Sequence, residues 1–216
     1  MQIRQENGWS VPHFEQLLSG SCRPSFHVHY RDWDKIKTAI FEMDGKHRHT
    51  FIDLGANIGL ISVLAKQYFK HVIAIEPHPI TAECLRSNMS RETNGMGSGK
   101  YEVIEAAAGQ YKDSIKLYTP NNPNTSGYSS TIAHEGWTSQ TVHQMSIDSL
   151  GLRSCDFIKL DVQGSEHNAL LGAEQTVRLY RPIVYCETKE GYDCVDLLQK
   201  WGYKIMYDYQ KGHLLL

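Results

Sequence analysis

The chain has 216 residues, of which 41% are hydrophobic and 21% charged, with a formal net charge of −2. That balance belongs to a soluble globular protein with a self-sufficient core, and it excludes a global basic field for nucleic acid or anionic membranes. Five scattered cysteines without CxxC spacing are expected as reduced thiols of a cytoplasmic protein, and the polar start "MQIRQENGWSVPH" together with the lack of an apolar run of about 18 residues predicts neither a signal peptide nor a membrane span.

Residues 1–49 read as an N-terminal arm with one helix, "RDWDKIKTAIFEM", which can fold over a ligand crevice. Its "HVH" and "HRH" pairs lack cysteine or carboxylate companions at ligand spacing, so no metal site is predicted. From Thr50 the pattern changes. "TFIDL" is a strand ending at Gly55, "IGLISVLAKQYF" has helical spacing, "HVIAIE" is a second strand and "ITAECLRSNMSRE" a second helix. "YEVIEAAA", "SIKLY" and "TVHQMSI" follow as strands, the last two separated by the polar loop "TPNNPNTSGYSS". "FIKLDV", the helix "SEHNALLGAEQTVRLY" stopped by Pro182, "PIVYCET", the helix "CVDLLQKWG", "YKIMYDY" and "HLLL" complete the series. Strands alternating with helices predict an α/β domain over 50–216 with a mostly parallel, doubly wound sheet.

Ligands of such sheets bind outside the carboxyl ends of the strands. Gly55 and Gly59 lie where the first of these strands meets its helix, and a missing Cβ there permits a tight turn and a close ligand. A tight turn with no ligand is the plainer alternative. Asn57 stands where a dinucleotide fingerprint has its middle glycine, so a pyrophosphate fits poorly. Asp53 repels phosphate but can accept from an ammonium group, and Glu76, ending the next strand, can accept both hydroxyls of a ribose. Two acids without a phosphate cradle point to S-adenosyl-L-methionine (SAM) rather than NAD.

These residues resemble those of the FkbM-type family of class I SAM-dependent methyltransferases. The resemblance runs from Thr50 to about Lys189 and rests on four blocks in order: "FIDLGANIG", "IEPHPITAECLRSN", "NTSGYSST" and "SIDSLGLRSCDFIKLDVQGSEHNALLGA". It departs from the family at Gln163, where a glutamate is common. The resemblance implies a Rossmann-like class I methyltransferase fold with an antiparallel final strand, and methyl transfer, usually to an oxygen of a small molecule, sugar or glycan. The residues expected around SAM are Asp53, Gly55, Ala56, Asn57, Gly59, Glu76, Pro77, Ala107 and Asp161.

Asp161, at the end of "FIKLD", is the acid placed to take the acceptor's proton, with Glu166 and Glu187 as neighbours able to raise its pKa. Two plainer roles stay open: Asp161 can position SAM or substrate, and Glu166 can be a helix N-terminal acid. Tyr128 and Ser130 in the polar loop are expected to touch the acceptor. "DVQG" at the strand end differs from the Asp/Asn-Pro-Pro tetrapeptide of amino-methylating enzymes, so a nucleic-acid partner is not expected. The alternative function is a non-catalytic SAM- or nucleoside-binding module acting through partners.

Overall fold

The computed structural model describes residues 3–6, 8–12, 24–91, 99–121, 129–187, 193–209 and 212–216. The chain opens with an antiparallel hairpin, β1 (Ile3–Glu6) and β2 (Trp9–Pro12), followed by helix α1 (Pro24–Glu42). β3 (Thr50–Leu54), α2 (Leu60–Ala65), β4 (His71–Ile75), α3 (Pro79–Met89) and β5 (Lys100–Ile104) make the first wound half. β6 (Ala107–Ala108), β7 (Asp113–Thr119) and β8 (Thr138–Met145) form a separate small sheet in the order β6-β8-β7. The second half is β9 (Phe157–Leu160), α4 (Glu166–Leu171), α5 (Glu174–Tyr180), β10 (Ile183–Cys186), α6 (Asp193–Lys200), β11 (Ile205–Tyr209) and β12 (Gly212–Leu215).

The main sheet has seven strands in the order β11-β12-β10-β9-β3-β4-β5. β10, β9, β3, β4 and β5 run parallel, and β12 is antiparallel to both neighbours, between β10 and the edge strand β11. The expected mostly parallel sheet with an antiparallel final strand is thus what forms. Side chains alternate across a strand, so each face collects every second residue. Ile52, Leu54, Ile73, Ile75, Ile158 and Leu160 face α4–α6, packing on Leu170, Val177 and Leu198. Phe51, Val72, Ala74, Phe157 and Tyr185 face α1–α3, packing on Trp33, Ile36, Leu85 and Met89. Both faces are buried, which is why these strands read as continuous apolar runs. Each fully buried isoleucine or leucine contributes about 1.5–3 kcal/mol.

The described part of the N-terminal arm belongs to this core. Trp33, Ile36 and Ile40 of α1 are buried under the sheet, and Tyr185 donates to Asp32 at 2.9 Å. The hairpin is held by Asn88 of α3, whose Oδ1 accepts from Ser10 N at 2.8 Å. Its Nδ2 donates to Ser10 O at 2.9 Å and to Ile58 O in the glycine turn at 2.8 Å. Helix α3 begins on Pro79, whose fixed φ and missing N–H suit a first turn; His78 Nδ1 accepts from Thr81 N at 3.5 Å.

One expectation about the cysteines is corrected. Cys186 and Cys194 form a disulfide across the β10–α6 connection, while Cys84 and Cys155 are free and buried. Pairing needs the end of β10 and the first turn of α6 to face each other, which spacing along the chain does not reveal. No described helix is long and apolar enough to cross a membrane.

Candidate functional site

The parallel strands β4, β3, β9 and β10 end side by side, and ligands of such sheets bind in the crevice outside these carboxyl ends. Gly55 leaves β3 with φ 73°, Asn57 follows at φ 51° and Gly59 at φ 93°, a left-handed sequence that turns the chain sharply into α2. The amides of Gly55 and Ala56 both donate to Ile75 O of β4 at 3.0 Å, so the turn is fastened to the neighbouring strand. A Cβ on Gly55 would overlap the backbone carbonyl of Asp161, whereas one on Gly59 would meet only the tip of the Leu85 side chain. Gly55→Ala is therefore expected to cost more than about 2 kcal/mol, and Gly59→Ala clearly less. Urea denaturation of the two variants checks the ranking, and equal losses would contradict it.

Beneath the turn lies a charged row that the sequence reading missed. Asp53, Lys159 and Tyr185 are side by side in register on β3, β9 and β10, pointing to the α1–α3 face. Lys159 Nζ sits 3.1 Å from Asp53 Oδ1 and 3.7 Å from Asp161 Oδ2, and it donates to Gly55 O at 3.1 Å. Asp53 is wholly inaccessible and Lys159 is 5% exposed. Burial alone would lower the lysine's pKa, but the carboxylates of Asp53 and Asp161 overcome it and hold it above its ordinary value. The other oxygen of Asp53 accepts from Ser62 Oγ at 2.6 Å. Both ends of this carboxylate thus have partners inside the protein. The signal was present in "FIKL": a lysine in a strand buried on both faces must find a carboxylate.

Asp161 follows β9 with three neighbours. Gln163 Nε2 donates to its Oδ1 at 2.5 Å, Lys159 lies at its other oxygen, and Glu187 at the end of β10 is hydrogen-bonded to it. Burial, then the charge and hydrogen bond of Asp161, push the Glu187 carboxyl up to about 8. Two carboxyl groups this close share a proton and titrate as a pair. Gln163 adopts φ 55° and turns its amide onto Asp161, where a glutamate would add a third negative charge.

Glu76 lies across the turn. Its Oε2 accepts from Asn57 N at 3.0 Å and its Oε1 from His78 N at 2.9 Å. Burial raises its pKa to about 7 against the opposing pull of these two amides and Lys159. Asn57 Oδ1, in the same turn, is buried with no hydrogen-bond partner among the described residues.

Other expected residues have structural partners. Glu166 accepts from Val162 N at 3.1 Å and from Gly164 N at 3.0 Å, closing the turn before α4. Ser130 is buried, and its hydroxyl donates to Gln163 O at 2.8 Å, which ties the polar loop to the crevice. Ala107 packs with Leu117 and Val142 in the small sheet, Ala56 is buried in the turn, and Pro77 is half-buried beside Glu76. Tyr128 lies outside the described residues, as do the side chains of His27 and His29.

A seven-stranded sheet of this order, with a glycine turn and acids at adjoining strand ends, is a class I methyltransferase fold. The match to a methyltransferase FkbM domain over residues 53–205 places the chain in that family. Solved structures carry the same fold. A methyltransferase FkbM from Methylobacillus flagellatus KT superposes with a TM-score of 0.55 at 23% identity, over 78% of this chain and 43% of that one. A SAM-dependent methyltransferase from Leishmania major does so with a TM-score of 0.50 at 15% identity, over 93% and 76%. The chain thus spans less than half the length of the Methylobacillus protein. No curated protein matches it significantly.

Proposed function

We propose that this chain is a SAM-dependent methyltransferase acting on a hydroxyl of a small molecule, sugar or glycan. The observation that carries the reading is the hydrogen-bonded Asp161–Glu187 pair set beside the glycine turn, a base at the carboxyl ends of the strands, where ligands of such sheets bind. The residues present fit SAM. Asn57 Oδ1 is a buried acceptor without a partner among the described residues, suited to an ammonium group. Each Glu76 oxygen accepts one amide and keeps a lone pair for a ribose hydroxyl. Gly55 packs directly on the backbone carbonyl of Asp161, which sets the turn against the end of β9. Asp53 would act from beneath, through Lys159, rather than by touching the ligand.

When bound, SAM would supply a methyl group on a cationic sulfonium. The chain's own task is to orient an acceptor hydroxyl and remove its proton. In the ionised pair, Asp161 is held by Gln163 and Lys159, and Glu187, whose carboxyl is pushed up by burial and by Asp161, takes the proton up. Glu166 and Ser130 keep the 162–164 turn in place so that Asp161 keeps its aim.

Calorimetry with SAM, S-adenosylhomocysteine and NAD tests the cofactor. The two SAM-type ligands are expected to bind and NAD not. Glu76→Ala should weaken them about 100-fold, because two hydrogen bonds to a charged group are lost. Affinity should also rise as pH rises through about 7, as Glu76 gives up its proton and becomes able to accept both hydroxyls. Preference for NAD, or indifference to Glu76→Ala, would overturn the reading. Transfer of radiolabelled methyl from SAM to a panel of hydroxylated compounds and glycans then tests the acceptor class.

A further inference from the structure

The opposite end of the sheet holds a second concavity. β3, β4 and β5 begin at Thr50, His71 and Lys100, which stand side by side in register. Five residues of strand at about 3.3 Å each separate this row from the crevice. Here a groove of about 880 Å³ opens between the loop before β9 and the loops before β4 and β5. Its volume lies within the range of small-molecule sites, about 300–1,000 Å³.

The lining is strongly one-signed in a chain that is slightly acidic overall. Lys70, Lys100 and Arg153 line it together with His49 and His71, and Glu102 is the one acid among the lining residues. None of the three cations makes a side-chain hydrogen bond or ion pair with the described residues. Lys66, also at the groove, is committed elsewhere: its ammonium donates to Met89 O at 2.6 Å and Arg91 O at 3.4 Å. Asp156, close by in the chain, accepts the backbone amides of His49 and Thr50 through one oxygen, at 3.1 and 2.8 Å. Leu150, Leu152 and Ile73 supply an apolar wall.

Cations left unpaired around a concavity favour an anion with several oxygens, and a guanidinium matches a phosphoryl group in a two-pronged contact. An apolar wall of this size covers a ring rather than a bare ion. We propose that the groove is a second site, separate from the crevice, for a phosphorylated small molecule of nucleotide size. Lys70, Lys100 and Arg153 would hold the phosphoryl groups, and Leu150 and Leu152 would cover the ring. The proposal does not depend on SAM binding, because no residue is shared between the two sites.

The probe is ATP, titrated into the whole protein at low salt with and without saturating S-adenosylhomocysteine. Binding with Kd on the order of 100 µM is expected. It should weaken on adding salt and be unaffected by S-adenosylhomocysteine. In Lys100→Glu/Arg153→Glu it should fall about tenfold, with thermal unfolding unchanged because both side chains are exposed. Lys70→Glu, alone, should weaken it less and serves if the double variant folds poorly. Four results would overturn the proposal: no ATP binding, displacement of ATP by S-adenosylhomocysteine, equal binding by both charge-reversed variants, or binding of a single-stranded RNA without ATP binding. Failure of S-adenosylhomocysteine itself to bind counts against the methyltransferase reading alone.

Discussion

Lys159→Met destabilises the protein by about 3–5 kcal/mol, seen as a fall in Tm on the order of 10 °C. The reason is asymmetric. A buried ion pair adds little over a well-packed apolar pair, but removing one partner strands the other charge. Asp53 is wholly inaccessible, and without the ammonium only the Ser62 hydroxyl remains, among the described residues, to meet its carboxylate. Gly55 O also loses its donor, so the glycine turn loosens as the core weakens. The double variant Lys159→Met/Asp53→Asn should recover most of the loss, because it deletes both charges at once. Urea denaturation of the single and double variants gives the coupling directly. A single-variant loss below about 1 kcal/mol, or a double variant no better than the single one, would mean that the pair does not hold these strands.

Glu187→Gln is the second large effect, on rate rather than stability. If the carboxyl pair takes up the acceptor's proton, its basic form has both groups ionised. The neighbouring Asp161 and burial hold the Glu187 carboxyl up to about 8. A base must be unprotonated to act, so kcat/KM should rise with pH through about 8 and level off above it. Glu187→Gln should remove this rising limb and lower the rate by about 10²–10⁴, while leaving S-adenosylhomocysteine affinity near that of the unaltered chain. Asp161→Asn should lower the rate over a similar range. A profile flat from pH 6 to 9, or a limb that persists in Glu187→Gln, would assign the two acids to positioning alone. The measurement uses whichever acceptor the radiolabel panel identifies.

The parts of the fold visible in the sequence are those governed by periodicity. Apolar runs such as "TFIDL", "HVIAI" and "FIKL" announce strands covered on both faces, and the helical spacing between them announces the layers. The acids at Glu76 and Asp161 could be placed because a residue just past a strand faces the crevice by topology alone. Glu166 shows where that logic ends. An acid at the start of a helix has two readings, and only the position of the Val162 and Gly164 amides shows which backbone groups its carboxylate meets.

Gln163 is a related case. It is the position at which the chain departs from the family pattern. In the structure its amide serves the neighbouring Asp161, a contact that requires the φ 55° turn.

By itself, the sequence determined the alternation of strands and helices, the glycine turn and the order of the acids along the chain, since these rest on local spacing and steric preference. The tertiary structure alone decided which strands are neighbours. It inserted β12 between β10 and β11, brought Lys159 against Asp53, paired Cys186 with Cys194 and gathered Lys70, Lys100 and Arg153 at the amino end of the sheet. The physical reason is that each of these depends on register between segments far apart in the chain. Periodicity tells a strand which face is buried, but it carries no information about which strand lies beside it.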